Sequence, residues 1–378
     1  MSAIGIVFRK ELREIIRDRR TLMAIGLAVL ASPVVLLVIA QVSTRTVAQT
    51  YTLGYKGEMP AGLDVLFNAT GLKLQVVDDP AEAAKKEVDL GVVFSPTGLD
   101  EYYDPTRQSA QIADIRLQTI LGKYDAARIE AALQEKGVDP SVLNPLPVKV
   151  HPLSSPAQAA GNAFLSFFLP YILITMSLTG GLSAALDTSA GERERKTLES
   201  LLLTPAPRGR VLVGKLLAVT VISVVAAVAA IASMLVALSQ IDFGISQGVQ
   251  TRIALSPLAA AVMVWLALLL AFAFASVTVT LGTLARNFRQ GQAYATPLYF
   301  ITIFPASIVL FIPDFNPNLA YYSIPILNAV LVLRDAILHE TVSVPALAVT
   351  SASLLVTGAL GFYAALRLFT REALLVRS

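Results

Sequence analysis

Long apolar runs alternate along this chain with short charged segments. The runs cover Thr21 to Ala40, Ala163 to Leu186, Val211 to Leu238, Pro257 to Ala285, Ala293 to Ile312 and Val344 to Phe369. A helix needs about 20 mostly apolar residues to cross the hydrocarbon core of a bilayer, so the pattern predicts six transmembrane helices. A further stretch, Ser323 to Leu338, is apolar but short and carries Arg334 and Asp335. It reads as part of a re-entrant or interfacial segment, 313–343, on the outer side rather than as a seventh span. Ahead of the first span (21–41), Ile4, Val7, Phe8, Leu12 and Ile15 recur at helical spacing against Arg9, Arg13 and Arg17. This predicts an amphipathic interface helix within 1–20. Anchoring to anionic lipid would explain such a helix without a protein partner.

The pattern changes between the first two spans. Segment 42–162 has soluble composition, with β-like and helical runs alternating. Tyr51–Gly54, Leu72–Val77 and Leu90–Phe94 read as strands, with Val148–His151 as a candidate fourth. Leu63–Ala69 and Ala81–Val88 read as helices. Gln108 to Lys136 reads as a long amphipathic helix with Ile112, Ile115, Ile120, Tyr124, Ile129 and Leu133 near one face. The acidic pairs Asp78–Asp79 and Asp100–Glu101 read as solvated turns, or alternatively as sites for a cation or partner. The fold expected is an α-helical polytopic membrane protein. A small α/β extracytoplasmic domain sits between its first and second spans, and five further spans lie in 163–378.

Basic residues sort these segments into two sides. Arg9, Lys10, Arg13, Arg17, Arg19 and Arg20 precede the first span; Arg193, Arg195, Lys196, Arg208, Arg210 and Lys215 fall between the second and third. Arg286 and Arg289 lie between the fourth and fifth, and Arg371 and Arg377 follow the sixth. The positive-inside rule puts all four clusters, and both termini, in the cytoplasm. The first run could instead be a signal peptide, with Val38–Ala40 weakly resembling a cleavage site, but its removal would leave an odd number of spans.

Composition narrows the chemistry. Of 378 residues, 55% are hydrophobic and 15% charged, against about 25% charged in a typical soluble domain. There is no cysteine, which excludes disulfides, thiolate metal sites and a thiol nucleophile. The two histidines, His151 and His339, are far apart, so no His-rich metal site is expected. The spans contain no H-E-x-x-H, no G-x-S-x-G and no clustered acid or His pair, and a membrane protease is not indicated.

The most informative stretch is the loop 187–210, which contains Gly191–Glu–Arg–Glu–Arg–Lys–Thr–Leu–Glu–Ser200. Glu192, Arg195 and Glu199 fall at helical spacing, Leu198, Leu201 and Leu202 take another face, and Pro205 and Pro207 end the pattern. It reads either as a docking element or as a surface helix joining two spans. Gly209 to Lys215 matches G-x-x-x-x-G-K, but Leu216 stands where a phosphate-binding loop needs Ser or Thr for magnesium, and the segment enters a span rather than following a strand. No ATP site is expected in this chain.

Polar positions inside the spans are few. Thr175 and Thr179, then Ser276, Thr280 and Thr283, then Tyr299 and Thr302, each share a helical face. Hydroxyls there serve helix–helix hydrogen bonding, or they line a translocation path. Gly180, Gly181 and Ser183 permit close helix approach, and Pro297 and Pro305 would kink the fifth span. With no chain of intramembrane carboxylates, an ion-coupled carrier is disfavoured, and a partner ATPase is the natural energy source.

These residues carry a resemblance. Phe8–Arg–Lys–Glu–Leu–Arg–Glu–Ile15, the Gly191 to Ser200 stretch, Leu202–Leu–Thr–Pro205 and Gly214–Lys–Leu216 resemble the permease subunits of type-2 ABC exporters, especially the NatB-like sodium-efflux permease group. The resemblance implies a homodimer in a prokaryotic cell membrane, each copy docking an ATPase subunit that binds ATP and Mg2+. It implies outward export by alternating access, with Na+ as the substrate; a drug, lipid or peptide could use the same scaffold. It assigns ATPase coupling to Phe8, Lys10, Glu11, Arg13, Glu14, Glu192, Arg193, Glu194, Arg195, Thr197, Leu198 and Glu199. Lys196 stands where relatives often have glycine. A sensor or scaffold whose outer domain binds a ligand is the alternative of a different class; it requires no ATPase.

Overall fold

The computed structural model describes residues 2–48, 50–60, 62–96, 98–139, 156–197, 206–239, 255–311 and 317–370. They divide into two units, Met1–Ala40 with Leu153–Ser378, and Gln41–Pro152. The expected strand Val148–His151, and Leu198 and Glu199 of the loop, lie outside the described residues.

The first unit is helical. Helix α1 (Ala3–Arg17) starts at Ser2, whose hydroxyl accepts from the Gly5 N–H at 3.3 Å, an N-cap that satisfies one otherwise orphaned donor. Asp18 breaks the chain between α1 and α2 (Arg19–Ala48). Its carboxylate accepts from the Thr21 N–H at 3.2 Å and the Thr21 hydroxyl at 2.5 Å, so one residue ends the first helix and anchors the start of the second. Helices α6 (Pro156–Leu186), α7 (Arg208–Leu238), α8 (Pro257–Leu284), α9 (Phe288–Phe311), α10 (Leu327–Leu338) and α11 (Val344–Thr370) complete the unit. Among the described residues, four helices are long and apolar enough to cross a membrane: Phe164–Glu194, Arg208–Leu238, Pro257–Leu284 and Val344–Thr370. Pro297 and Pro305 both lie inside α9.

Packing explains how these helices meet. Leu169, Leu173 and Ile174 of α6, Met234 of α7, Leu266 and Leu270 of α8 and Leu331 and Leu333 of α10 form one continuous core. The short α10 is buried along most of its length, and protein rather than lipid surrounds it, which is where a segment too short to span is tolerated. Its Asp335 accepts from the Tyr322 hydroxyl at 3.0 Å. On α6, a Cβ at Gly180 would collide with Ala226, and one at Gly181 with the Ser223 hydroxyl. The α6–α7 seam is therefore closed backbone to backbone, the use of small residues expected where helices associate in lipid.

The second unit holds a four-stranded sheet in the order β2-β1-β3-β4, from β1 (Tyr51–Lys56), β2 (Leu72–Val76), β3 (Leu90–Ser95) and β4 (Gly98–Tyr102). β1 pairs parallel with β2 and with β3, and β4 returns antiparallel along β3. The parallel pairs need crossovers, supplied by α3 (Leu63–Ala69) and α4 (Pro80–Lys86). Asp79 caps α4 by accepting from the Ala81 and Glu82 N–H groups.

Two readings change here. Asp100 and Glu101 lie in the edge strand β4, opposite Val93 and Val92, rather than in a turn; an edge strand has one solvated side that admits acids. In α5 (Gln108–Glu135) the buried face is Ala110, Ala113, Leu117 and Ile120, whereas Ile115 and Ile129 are exposed. Ile112, Ile120 and Tyr124 of the expected stripe do pack in this core, and the alanines let the helix sit close on β1 and α3.

Glu101 carries a pH consequence. Burial, and then the neighbouring Asp114 carboxylate, push its carboxyl up to about 7. A carboxyl raised on folding binds its proton more tightly in the folded than in the unfolded chain. Stability is therefore highest on the acid side, falls as pH rises through about 7, and is level above it. Because the group is partly solvated, the loss is discounted to about 1 kcal/mol. Amide exchange of β3 and β4, corrected for intrinsic rate, should be slower at pH 5 than at pH 8, and Glu101→Gln should remove the difference. Identical protection at both pH values in the parent would refute this.

Candidate functional site

The charged motifs meet at one end of the helical unit. Helix α1 turns Val7, Phe8, Leu12 and Ile15 inward, and Phe8, Leu12 and Ile15 pack with Leu212, Leu216 and Val219 of α7. A Cβ at Gly214 would come within 2.8 Å of Val7 Cβ, so glycine sets how closely α1 lies on α7. At the end of α6 the helix widens into a π turn, Asp187–Gly191, the kind of local insertion that re-aims side chains at functional sites. This turn delivers Glu192 toward α7.

Lys215 is the centre of the arrangement. It is 1% exposed, and its Nζ donates to Glu11 Oε1 of α1 at 3.1 Å, to Glu192 Oε1 at 2.5 Å and to the Thr188 carbonyl at 2.8 Å. Glu11 and Glu192 are themselves buried. Lys10, half exposed, closes the group from solvent through Glu11 at 3.1 Å, Glu14 at 3.0 Å and Glu192 at 3.5 Å. Partial burial pulls its ammonium down, but Glu11, Glu14 and Glu192 outweigh this and raise it. Glu11 Oε2 and Glu192 Oε2 are buried without a hydrogen-bond partner among the described residues.

The other loop residues tie neighbouring elements together. Arg193 donates to the Ala285 carbonyl at the end of α8 at 3.0 Å. Glu194 accepts the Phe288 N–H at 3.0 Å, capping α9. Arg195 pairs with Asp187, and the Thr197 hydroxyl donates to the Glu192 carbonyl at 3.2 Å. Arg13 and Glu14 face outward on α1. Beside them lies a cleft of about 1210 Å³, lined among others by Glu14, Arg17, Asp187, Glu194, Arg195 and Arg289. The charged helix expected through the loop is broken at Lys196, which takes φ 57°.

That left-handed position explains why glycine suits it. A side chain there costs about 1 kcal/mol or more, so Lys196→Gly should be neutral or stabilising by up to about 1 kcal/mol. Lys196→Val should cost about 2 kcal/mol. Denaturant midpoints in detergent would check both; a Val variant as stable as the Gly variant would contradict the assignment.

The hydroxyls considered for a path are bonded within their own helices. Thr175, Thr179, Ser276, Thr280, Thr283 and Thr302 each donate to a carbonyl of their own helix, at 2.7–2.8 Å. Thr280 also reaches the Gly361 carbonyl of α11 at 2.8 Å, and Ser276 lies against Gly361. Tyr299 packs between core clusters. Sequence reasoning passed over Lys215, counting it among loop cations. The available signal was a lysine inside a span-length apolar helix, which demands a buried partner.

The architecture can be placed among known proteins. A family model described as ABC-2 family transporter protein matches residues 6–374. The chain belongs to the ABC-2 transporter family. An ABC-2 transporter is a membrane transport component whose ATPase is a separate subunit. This ABC-2 chain is also 26% identical over 341 residues to the ABC transporter permease protein NatB of Bacillus subtilis (strain 168), covering 85% of this chain and 86% of that protein.

Proposed function

We propose that this chain is the permease subunit of an ATP-driven exporter in a prokaryotic cell membrane. In this reading α2, α6, α7, α8, α9 and α11 are six spans, both termini are cytoplasmic, and the unit of α/β fold is extracytoplasmic. A second copy completes the pathway, and each copy docks an ATPase that binds ATP and Mg2+. The observation that carries it is the meeting of α1 and the Asp187–Thr197 segment at one polar end. The outward Arg9, Arg13 and Glu14 are available to a partner there, and the basic residues cluster on the same side. Na+ is the proposed substrate, from the motif resemblance to the sodium-efflux permease group. A larger or more apolar substrate is the second reading. It is favoured by the scarcity of charged side chains in the spans, since a dehydrated hard cation prefers several oxygen ligands and compensating charge.

The test is sodium flux in proteoliposomes holding this chain and its ATPase, with ATP on the ATPase side. ATP-dependent sodium movement, lost with an inactive ATPase, would support exporter and ion together. ATP hydrolysis stimulated by lipids, drugs or peptides without sodium flux would keep the exporter and discard the ion. A chain that recruits no ATPase would favour the sensor or scaffold.

A further inference from the structure

The G-x-x-x-x-G-K stretch is not expected to hold phosphate, yet its last two residues form a close junction between α7, α1 and the π turn. Gly214 leaves no room for a Cβ between α7 and α1. Lys215 then joins three elements at one nitrogen: α1 through Glu11, the π turn through the Thr188 carbonyl, and the residue after that turn through Glu192. Glu11 and Lys215 are 204 positions apart in the chain, and Glu192 and Lys215 are 23 apart.

Stability alone accounts poorly for this cluster. Ions taken out of water pay a large desolvation cost, and a packed apolar side chain of similar volume is often as stable or more so. Here the cost is increased, because one oxygen of each buried carboxylate is left without a hydrogen bond. What an ionic junction does provide is registry, since it is satisfied at one relative position of its members and strongly disfavoured at others. The outer face of α1, with Arg9 and Arg13, is exposed while the inner face is locked.

We infer that Lys215 is a positioning residue for energy coupling, clamping α1, the Asp187–Glu192 segment and α7 into one lever. A push on α1 or on the loop then displaces α7 as a rigid body instead of being absorbed by sliding between helices. This rests on the ATPase-coupled reading above.

The chain has no cysteine, so spin labels can be placed at Ile16 on α1 and Leu217 on α7, both exposed, in the full complex with its ABC ATPase. The expected distance distribution is narrow and the same without nucleotide and with ATP trapped. A shift between the two states with the ATPase bound would overturn the inference while leaving the permease reading standing. The neutral variant Lys215→Met/Glu11→Gln/Glu192→Gln removes the ionic junction without stranding a charge. In complexes matched for bound ATPase, its label distances should broaden and its sodium moved per ATP hydrolysed should fall about tenfold. Unbroadened distances with parental coupling would leave Lys215 a structural residue only and reject the inference. Failure of the parent to recruit any ATPase would instead remove the underlying reading, and the inference with it.

Discussion

The Lys215→Ala variant is expected to unfold at a much lower denaturant concentration than the parent, with a loss of about 3–5 kcal/mol. The size follows from what is left behind. Glu11 and Glu192 are both buried and both accept from Lys215. Removing the lysine strands two carboxylates with only Lys10 at their solvent edge, a far larger penalty than loss of a surface pair. The effect should depend on charge, not volume. Adding Glu11→Gln and Glu192→Gln to Lys215→Ala should recover at least half of the loss. Unfolding midpoints in detergent would read both; a Lys215→Ala protein as stable as the parent would show that the cluster is solvated.

The second large effect lies in the seam between α6 and α7. Gly181→Ala should cost about 2–3 kcal/mol, as overpacking of a closed interface does. The new methyl would fall on Ser223 Oγ and within 3.2 Å of Val219 Cγ1, and α6 cannot retreat without opening the Leu169–Leu173–Met234 core. A compensating change tests the cause. Ser223 Oγ is buried without a hydrogen-bond partner among the described residues, so Ser223→Gly removes the obstruction and breaks no bond described there. The double variant Gly181→Ala/Ser223→Gly should therefore be more stable than Gly181→Ala alone. If the serine change worsens the alanine variant, the clash is not what costs.

Much of this architecture was legible in the sequence because membrane helices announce themselves by length and hydropathy, and the described helices lie where the apolar runs do. The parallel strands were legible for a similar reason, since β1 and β3 are apolar over most of their length. β4 was not, because Gly98–Leu–Asp–Glu–Tyr102 is an edge strand whose acids look like a turn. The buried face of α5 was legible in part: Ile112, Ile120 and Tyr124 pack in the core, whereas Ala110 and Ala113 are buried and Ile115 and Ile129 exposed, because small size rather than hydropathy sets the close contact. The site was half legible. Its two acidic motifs stand out as charged patterns, and the periodicity of α1 already sets Arg13 on the polar face, but nothing local names the partner of Glu11 and Glu192. The buried partner they share is Lys215, at the mouth of an apolar helix. That assignment needs three-dimensional proximity, which composition and spacing do not encode.

The separation of Glu11 from Lys215 also imposes an order in time. A ribosome adding about 5–20 residues per second takes roughly 10–40 s to travel from one to the other. During that interval the whole α/β unit, Gln41–Pro152, is synthesised, and Lys215 is not yet there to receive Glu11. The newborn N-terminal helix must wait with Phe8, Leu12 and Ile15 not yet packed on α7. Only chains completed past α7 can bury them. Truncated or stalled products should thus carry an unburied N-terminal helix, a feature by which cellular proteases could distinguish unfinished copies from finished ones.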